Sequence, residues 1–282
     1  MINLQKLKNG FEYLDISNKS AHAKIALQGA HIFHYAPHNS NPLLWLSQAS
    51  DFELGKAIRG GVPICWPWFG MSENPELPQH GFARTSMWQL SASSEIDAHT
   101  TELTLTLKHS KSSLKFWVYR FELSLHVRVS DTLTMELKTT NLDEKPFKIT
   151  QALHSYFQIS DISNVHIEGL GKSSYFDALT QEQYQQNGDI EFYQEVDRIY
   201  QGIKHEIRLV DIKRQIVIKN EGSSSAVVWN PWIEKCTRMS AMNNDAYRTM
   251  VCIESANALE DAKVIAPLQS HTLKAYIEVT NL

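Results

Sequence analysis

Two-residue alternation of apolar and polar side chains is the feature that most limits what this chain can become. Leu103, Leu105 and Leu107 are interleaved with Glu102, Thr104 and Thr106, and Phe121, Leu123, Leu125, Val127 and Val129 repeat the pattern over a longer run. Leu133, Met135 and Leu137 continue it against Thr134, Glu136 and Lys138. Successive side chains of a strand point to opposite faces, so these runs predict strands with one apolar and one wetted face. Ser130 and Asp131 separate two of the runs as a turn, and strands joined so closely pair antiparallel. Ile207 and Leu209, Ile216 and Ile218, and Leu273, Ala275, Ile277 and Val279 carry the habit to the C-terminus. Residues 223–225, three serines, read as a hairpin turn. Only residues 51–56 and 243–247 compete as short helices. Many half-apolar strands bury their faces by stacking sheets, so the expected class is all-β, a large antiparallel β-sandwich.

The 282 residues are enough for two domains, yet no internal repeat, Gly/Ser linker or low-complexity tract divides them, and one domain over 1–282 is expected. A chain of this length buries roughly 75% of the surface its unfolded form exposes, so neither disulfides nor a structural metal is needed for stability. Charge narrows the function. Lys and Arg number 27 against 31 Asp and Glu, a net −4, so no basic excess advertises nucleic acid or an anionic membrane. Any anionic ligand must then be held by a local cluster. No run of about 18 apolar residues exists to span a bilayer, and the first residues carry scattered charges without the apolar stretch of a secretory signal. Cys65, Cys236 and Cys252 are odd in number and widely spaced, the usage of a reduced, cytoplasmic protein.

Three stretches are not explained by strand packing. RGGVPICWPWFG, residues 59–70, holds three glycines and two prolines around Trp66, Trp68 and Phe69. A ladder does not run through such a sequence, so an ordered loop is expected. Its aromatic rings are read either as a platform for the apolar face of a sugar or as a plug at the end of the sandwich. PQHGFAR, residues 78–84, places Gln79, His80 and Arg84 in one short loop. Arg59 and Arg84 both flank glycine-containing loops of an acidic protein; two guanidinium forks can hold a phosphate, and the plain alternative is a pair of surface arginines. His154 in QALHSYF and Glu254 in VCIESAN are ionisable groups in apolar runs, hence either partnered core residues or site residues. Nothing in the sequence alone brings them together.

The sequence lacks G-x-G-x-x-G, G-x-x-x-x-G-K-[ST], H-E-x-x-H and G-x-S-x-G, so nucleotide-cofactor redox, nucleotide hydrolysis, zinc-peptidase and serine-hydrolase chemistry lose their best signals. His31, His34 and His38 are closely spaced, but Pro37 interrupts them and no Cys or carboxylate completes a ligand set, so no metal site is expected.

The segments RGGVPICWPWFG, LPQHGFAR, ALHSYF, EVDRIY, VVWNPW and VCIES, in this order over about 200 residues, resemble the aldose 1-epimerase superfamily in its hexose-6-phosphate mutarotase branch, also called glucose-6-phosphate 1-epimerase. The resemblance implies a galactose mutarotase-like β-sandwich and an isomerase that needs no cofactor. Its substrate would be a small-molecule sugar phosphate whose α and β anomers it interconverts. Neither nucleic acid nor a membrane is expected as a partner, and a monomer is expected. Carried over by motif, His154 is the general acid and Glu254 the general base. His80 is the second active-site histidine, Asp197 in EVDRIY is expected to hold a sugar hydroxyl, and Arg59, Arg84 and Gln79 take the phosphate. Ser255, Ala256 and Asn257 follow Glu254 where many relatives are expected to carry Pro or Gly, so the loop there is expected to differ. Two further readings stay open, a carbohydrate-binding protein without catalysis and an aldose 1-epimerase for unphosphorylated sugars.

Overall fold

The alternating runs fold as the strands expected of them. Phe121–Val129 lies between Thr101–Lys108 and Leu133–Asn141, and residues 130–132 close the hairpin that sets Val129 opposite Leu133. The computed structural model describes residues 1–38 and 40–282. These three strands belong to an eight-stranded antiparallel sheet that continues through Ser270–Asn281, Arg214–Glu221, Ile207–Asp211 and His166–Glu168, with Gln89–Glu95 at the other edge.

A second sheet of eight strands runs in the order Glu182–Gln185, Ser174–Asp177, Val196–Gln201, Ser225–Asn230, Met250–Asn257, Gln151–Leu153 and Ile64–Cys65, with Tyr156–Gln158 also paired to Met250–Asn257. Leu153, Val251, Ile253, Val228 and Tyr200 of this sheet share one core with Leu123, Leu125, Leu137, Ile218 and Leu273 of the first. A four-stranded meander from Ile2 to Pro37 adds Ile16, Ala23, Ile25 and Tyr35 to the same core. Antiparallel sheets packed face to face are the expected all-β sandwich.

The outer face of the second sheet is also covered. Cys65, Ala152, Ile199, Val227 and Ala256 form a small cluster there, with Phe69 and Phe176 against it. Met250–Asn257 is therefore buried at all eight positions, and Glu254 lies on its outer face in an environment that strand alternation alone would not produce.

Several local expectations are overturned. Residues 223–225 are no hairpin turn: Arg214–Glu221 pairs in the first sheet and Ser225–Asn230 in the second, so the serines carry the chain across the sandwich. Residues 51–56 are not helical, since loop backbone and a turn occupy them. A 3-10 turn at Ala246–Arg248 overlaps the end of 243–247, while the longer helix is Trp232–Arg238. The loop 59–70 does contain a short ladder, Ile64–Cys65, paired with Gln151–Leu153. Past Glu254, where the residues depart from the pattern expected of relatives and leave the loop there in doubt, the chain runs on as strand to Asn257.

Candidate active site

Register brings the histidine and the glutamate together. Leu153 pairs with Ser255 and Tyr156 with Cys252, so the intervening count of two on each strand sets His154 opposite Glu254. The ladder opens at that point: the His154 amide donates to the Pro63 carbonyl (3.0 Å), and that of Ile253 donates to the Ser155 carbonyl (3.2 Å). His154 Nε2 lies 3.3 Å from Glu254 Oε1, with the glutamate side chain 1% and the histidine 11% exposed. Burial pushes the Glu254 carboxyl well up from its usual range, and the Asp197 charge adds to this. Burial likewise pushes His154 well down, helped by His80, Arg84 and Arg59. His154 Nδ1 and Glu254 Oε2 are buried with no hydrogen-bond partner among the described residues.

The pair lines a cavity of about 680 Å³ that also receives Arg59, Gln79, His80, Arg84 and Asp197, so all seven residues singled out in the sequence meet at one place. Arg59 donates from its backbone to Ser50 Oγ (2.9 Å) and from its guanidinium to Tyr156 Oη (3.5 Å). Arg84 Nη2 donates to the Gln79 carbonyl (2.7 Å). Neither guanidinium has a carboxylate within salt-bridge distance among the described residues, so the surface-pair alternative loses its usual partner. Gln79 holds Arg84 by its backbone and leaves its own side chain exposed at the cavity mouth.

His80 has a fixed proton position. Its Nδ1 accepts from the Gly70 amide at 3.1 Å, which leaves the ring proton on Nε2. Burial, with Arg84 and Arg59 nearby, pushes it down to about 3, so it stays neutral and serves the cavity only as a donor. Its backbone has φ 64, a sparsely populated region for a residue with a side chain, and Gly81 follows at φ 71. A Cβ on Gly81 would lie 1.9 Å from the Trp66 carbonyl, so only glycine permits this approach.

The aromatic residues divide between the two readings. Trp66 is a plug: fully buried, it donates to Thr139 Oγ1 (3.0 Å) and packs on Phe121 at 4.4 Å and Phe82 at 5.7 Å. Trp68 is tied to the Pro78 carbonyl (2.9 Å), while Phe69 lines the cavity beside His80.

Among the cavity residues not read from the sequence are two aromatics and two lysines. Tyr156 stacks on His154 at 4.7 Å with planes 10° apart, and Trp229 meets His154 edge-on at 6.1 Å. Both stood inside quoted motifs, hidden as ordinary aromatics. Lys148 and Lys235 carried no local signal, since a lysine in a strand or a short helix is usually just solvated. Lys235 Nζ reaches Glu195 Oε1 (2.7 Å) and Asp197 Oδ2 (3.5 Å). Burial pushes Asp197 up and Lys235 opposes the shift. The clustered histidines each have other business: His31 Nε2 donates to the Gly60 carbonyl (2.7 Å), His38 Nε2 donates to that of Asn18 (2.8 Å), and His34 packs against His22.

Comparison with known proteins agrees with this geometry. A protein of Escherichia coli strain K12 named "Putative glucose-6-phosphate 1-epimerase" is 36% identical over 260 residues, 91% of this chain and 86% of that one. A crystal structure of a "putative mutarotase" from Salmonella typhimurium superposes with a TM-score of 0.93 at 32% identity, covering 100% of this chain and 94% of that one. A galactose mutarotase related enzyme from Lactobacillus acidophilus shares the fold, with a TM-score of 0.77 at 13% identity over 95% and 97% of the two chains. Residues 12–277 match the family of aldose 1-epimerases, and the chain belongs to that family of isomerases.

Proposed function

We propose that this protein interconverts the α and β anomers of a hexose 6-phosphate, glucose 6-phosphate first among them, by general acid–base ring opening and closure. The observation that carries the proposal is the His154–Glu254 contact of 3.3 Å in a cavity that also holds two arginines without carboxylate partners among the described residues. O1 and O5 of a pyranose are bonded to the same carbon, so an acid and a base this close reach both.

Glu254, ionised, takes the proton from O1; the O1–H electrons form the carbonyl, the C1–O5 bond breaks, and O5 takes the proton of His154 Nε2. Rotation about C1–C2 offers the other face of the aldehyde. Closure with the roles reversed gives the opposite anomer and restores both residues. Opening thus converts an imidazolium–carboxylate pair into a neutral imidazole and a carboxylic acid. Burial pushes Glu254 up and His154 down, so the neutral pair is favoured at rest, and the sugar reacts through the minor imidazolium–carboxylate form, whose charges ring opening discharges. His80, neutral with its proton on Nε2, donates to a sugar oxygen and abstracts nothing. Asp197 accepts from a ring hydroxyl, and Arg59, Arg84 and Gln79 hold the phosphate, whose binding energy fixes C1 in place. Every group required is supplied by the protein, and we read residues 1–282 as a single cytoplasmic domain working as a monomer.

Exchange spectroscopy on α- and β-glucose 6-phosphate beside free glucose tests this reading. Accelerated exchange of the phosphorylated sugar, well above that of free glucose, is expected. Equal acceleration of both would favour an epimerase for neutral sugars, and binding without exchange would favour a carbohydrate-binding protein.

A further inference from the structure

Resting on that reading of the site, we infer that Lys235 is a positioning residue of the reaction, acting through Asp197. It lies on the helix Trp232–Arg238, which the chain forms immediately after the strand Ser225–Asn230. Asn230 and Pro231 set that helix: Asn230 Oδ1 accepts from the Trp232 amide at 2.9 Å, and Asn230 Nδ2 donates to the carbonyls of Tyr247 and Met250. The helix therefore starts at a fixed point above the outer face of the second sheet. From there the ammonium spans two carboxylates of one neighbouring strand region, Glu195 at 2.7 Å and Asp197 at 3.5 Å, and lies 5.9 Å from the Trp229 ring centre.

Strand register explains why this matters at the reacting centre. Asp197 pairs with Trp229, and Trp229 with Cys252, two residues before Glu254 on the same strand. Lys235, Asp197 and Glu254 thus follow one another across the outer face, plus, minus and proton acceptor. Glu195 and Asp177 are the other charges acting on Asp197. Around Glu254 stand His154 opposite, Asp197, and the thiols of Cys65 and Cys252, with Arg59 reaching in beside Tyr156. Among these, Lys235 is the cation that offsets Asp197. It keeps the aspartate an ionised acceptor for a sugar hydroxyl, and it screens the base from the aspartate's field.

Removing the ammonium leaves Asp197 uncompensated beside the acid–base pair. Whichever carboxylate then takes up the extra proton, active enzyme is lost at a higher pH than before. Lys235→Met should therefore move the acidic limb of kcat/KM for hexose 6-phosphate upward by about half a unit to one unit and lower the plateau severalfold. Lys235→Arg should restore both, because a guanidinium can bridge the same two carboxylates. In an Asp197→Asn background the same lysine substitution should move the limb much less, since of the two carboxylates it bridges only Glu195, which does not line the cavity, then stays charged. Melting temperatures of all variants separate these effects from misfolding, with Lys235→Gln as a second neutral replacement. A uniform loss across pH, or an equal limb shift in the Asp197→Asn background, overturns the inference. The site reading itself fails on a different result, retention of activity in Glu254→Gln.

Discussion

At the scale of the residue, the site separates holding the sugar from reacting with it. Arg59 and Arg84 sit on two loops, and each offers paired donors that no carboxylate of the described chain occupies. A hydrogen bond to a charged group is worth about 1.5–3 kcal/mol, so Arg59→Ala or Arg84→Ala should weaken hexose 6-phosphate by roughly 10- to 150-fold in kcat/KM. Free hexose should lose little, because its C6 hydroxyl carries no charge to hold. Steady-state exchange rates with both sugars check this, and equal losses for the two would refute the phosphate assignment. Arginines, a histidine and a glutamate in loops or apolar runs stood out as candidates, but each also had a plain structural reading, and their roles came only with the resemblance to a family. Lys235 was illegible because its role depends on Glu195 and Asp197, roughly 40 positions away, and no local pattern records such a contact.

At the scale of the element, alternation announced the first sheet and misjudged the second. Strands such as Phe121–Val129 have one dry face and one wet, so the two-residue period is visible. Met250–Asn257 is covered on both faces, so its apolar run carried no period, and Glu254 looked like an intruder in it. The three serines at 223–225 have the composition of a turn but sit where the chain changes sheets, and composition does not distinguish a hairpin from a crossover. The loop elements are held as firmly as the strands. Gly81 carries φ 71 with the Trp66 carbonyl against the place a Cβ would take. Gly81→Ala should cost about 1–3 kcal/mol and displace the neighbouring His80. We expect a lowered melting temperature together with slowed anomer exchange, and an unchanged melting curve would show that the loop can yield.

At the scale of the whole molecule, burial of neutral histidines ties stability to pH. His31 is fully buried against the Gly60 carbonyl, and burial holds it down to about 4; His80 is held down to about 3. An unfolded chain protonates such groups near pH 6.5, whereas the folded chain refuses the proton until the pH is far lower. Below pH 6.5 the unfolded state therefore binds more protons, and stability falls as pH falls toward about 4. His31 alone corresponds to a loss on the order of 3 kcal/mol across that window. Thermal denaturation between pH 7.5 and pH 4.5 should show the decline, and His31→Gln should flatten it while lowering the starting point. A melting temperature that holds steady through this range would contradict the burial of a neutral imidazole.

The same whole-molecule architecture makes the chemistry possible, since two strands in register set an acid and a base 3.3 Å apart that lie a hundred positions apart in sequence. A positioned acid or base contributes about 10²- to 10⁴-fold to a rate. The most direct measurement is anomer exchange of hexose 6-phosphate catalysed by Glu254→Gln and His154→Asn, each confirmed as folded by its melting curve. Both variants should fall by at least about a hundredfold, to near the spontaneous rate; exchange at the wild-type rate in either one would remove that residue from the mechanism.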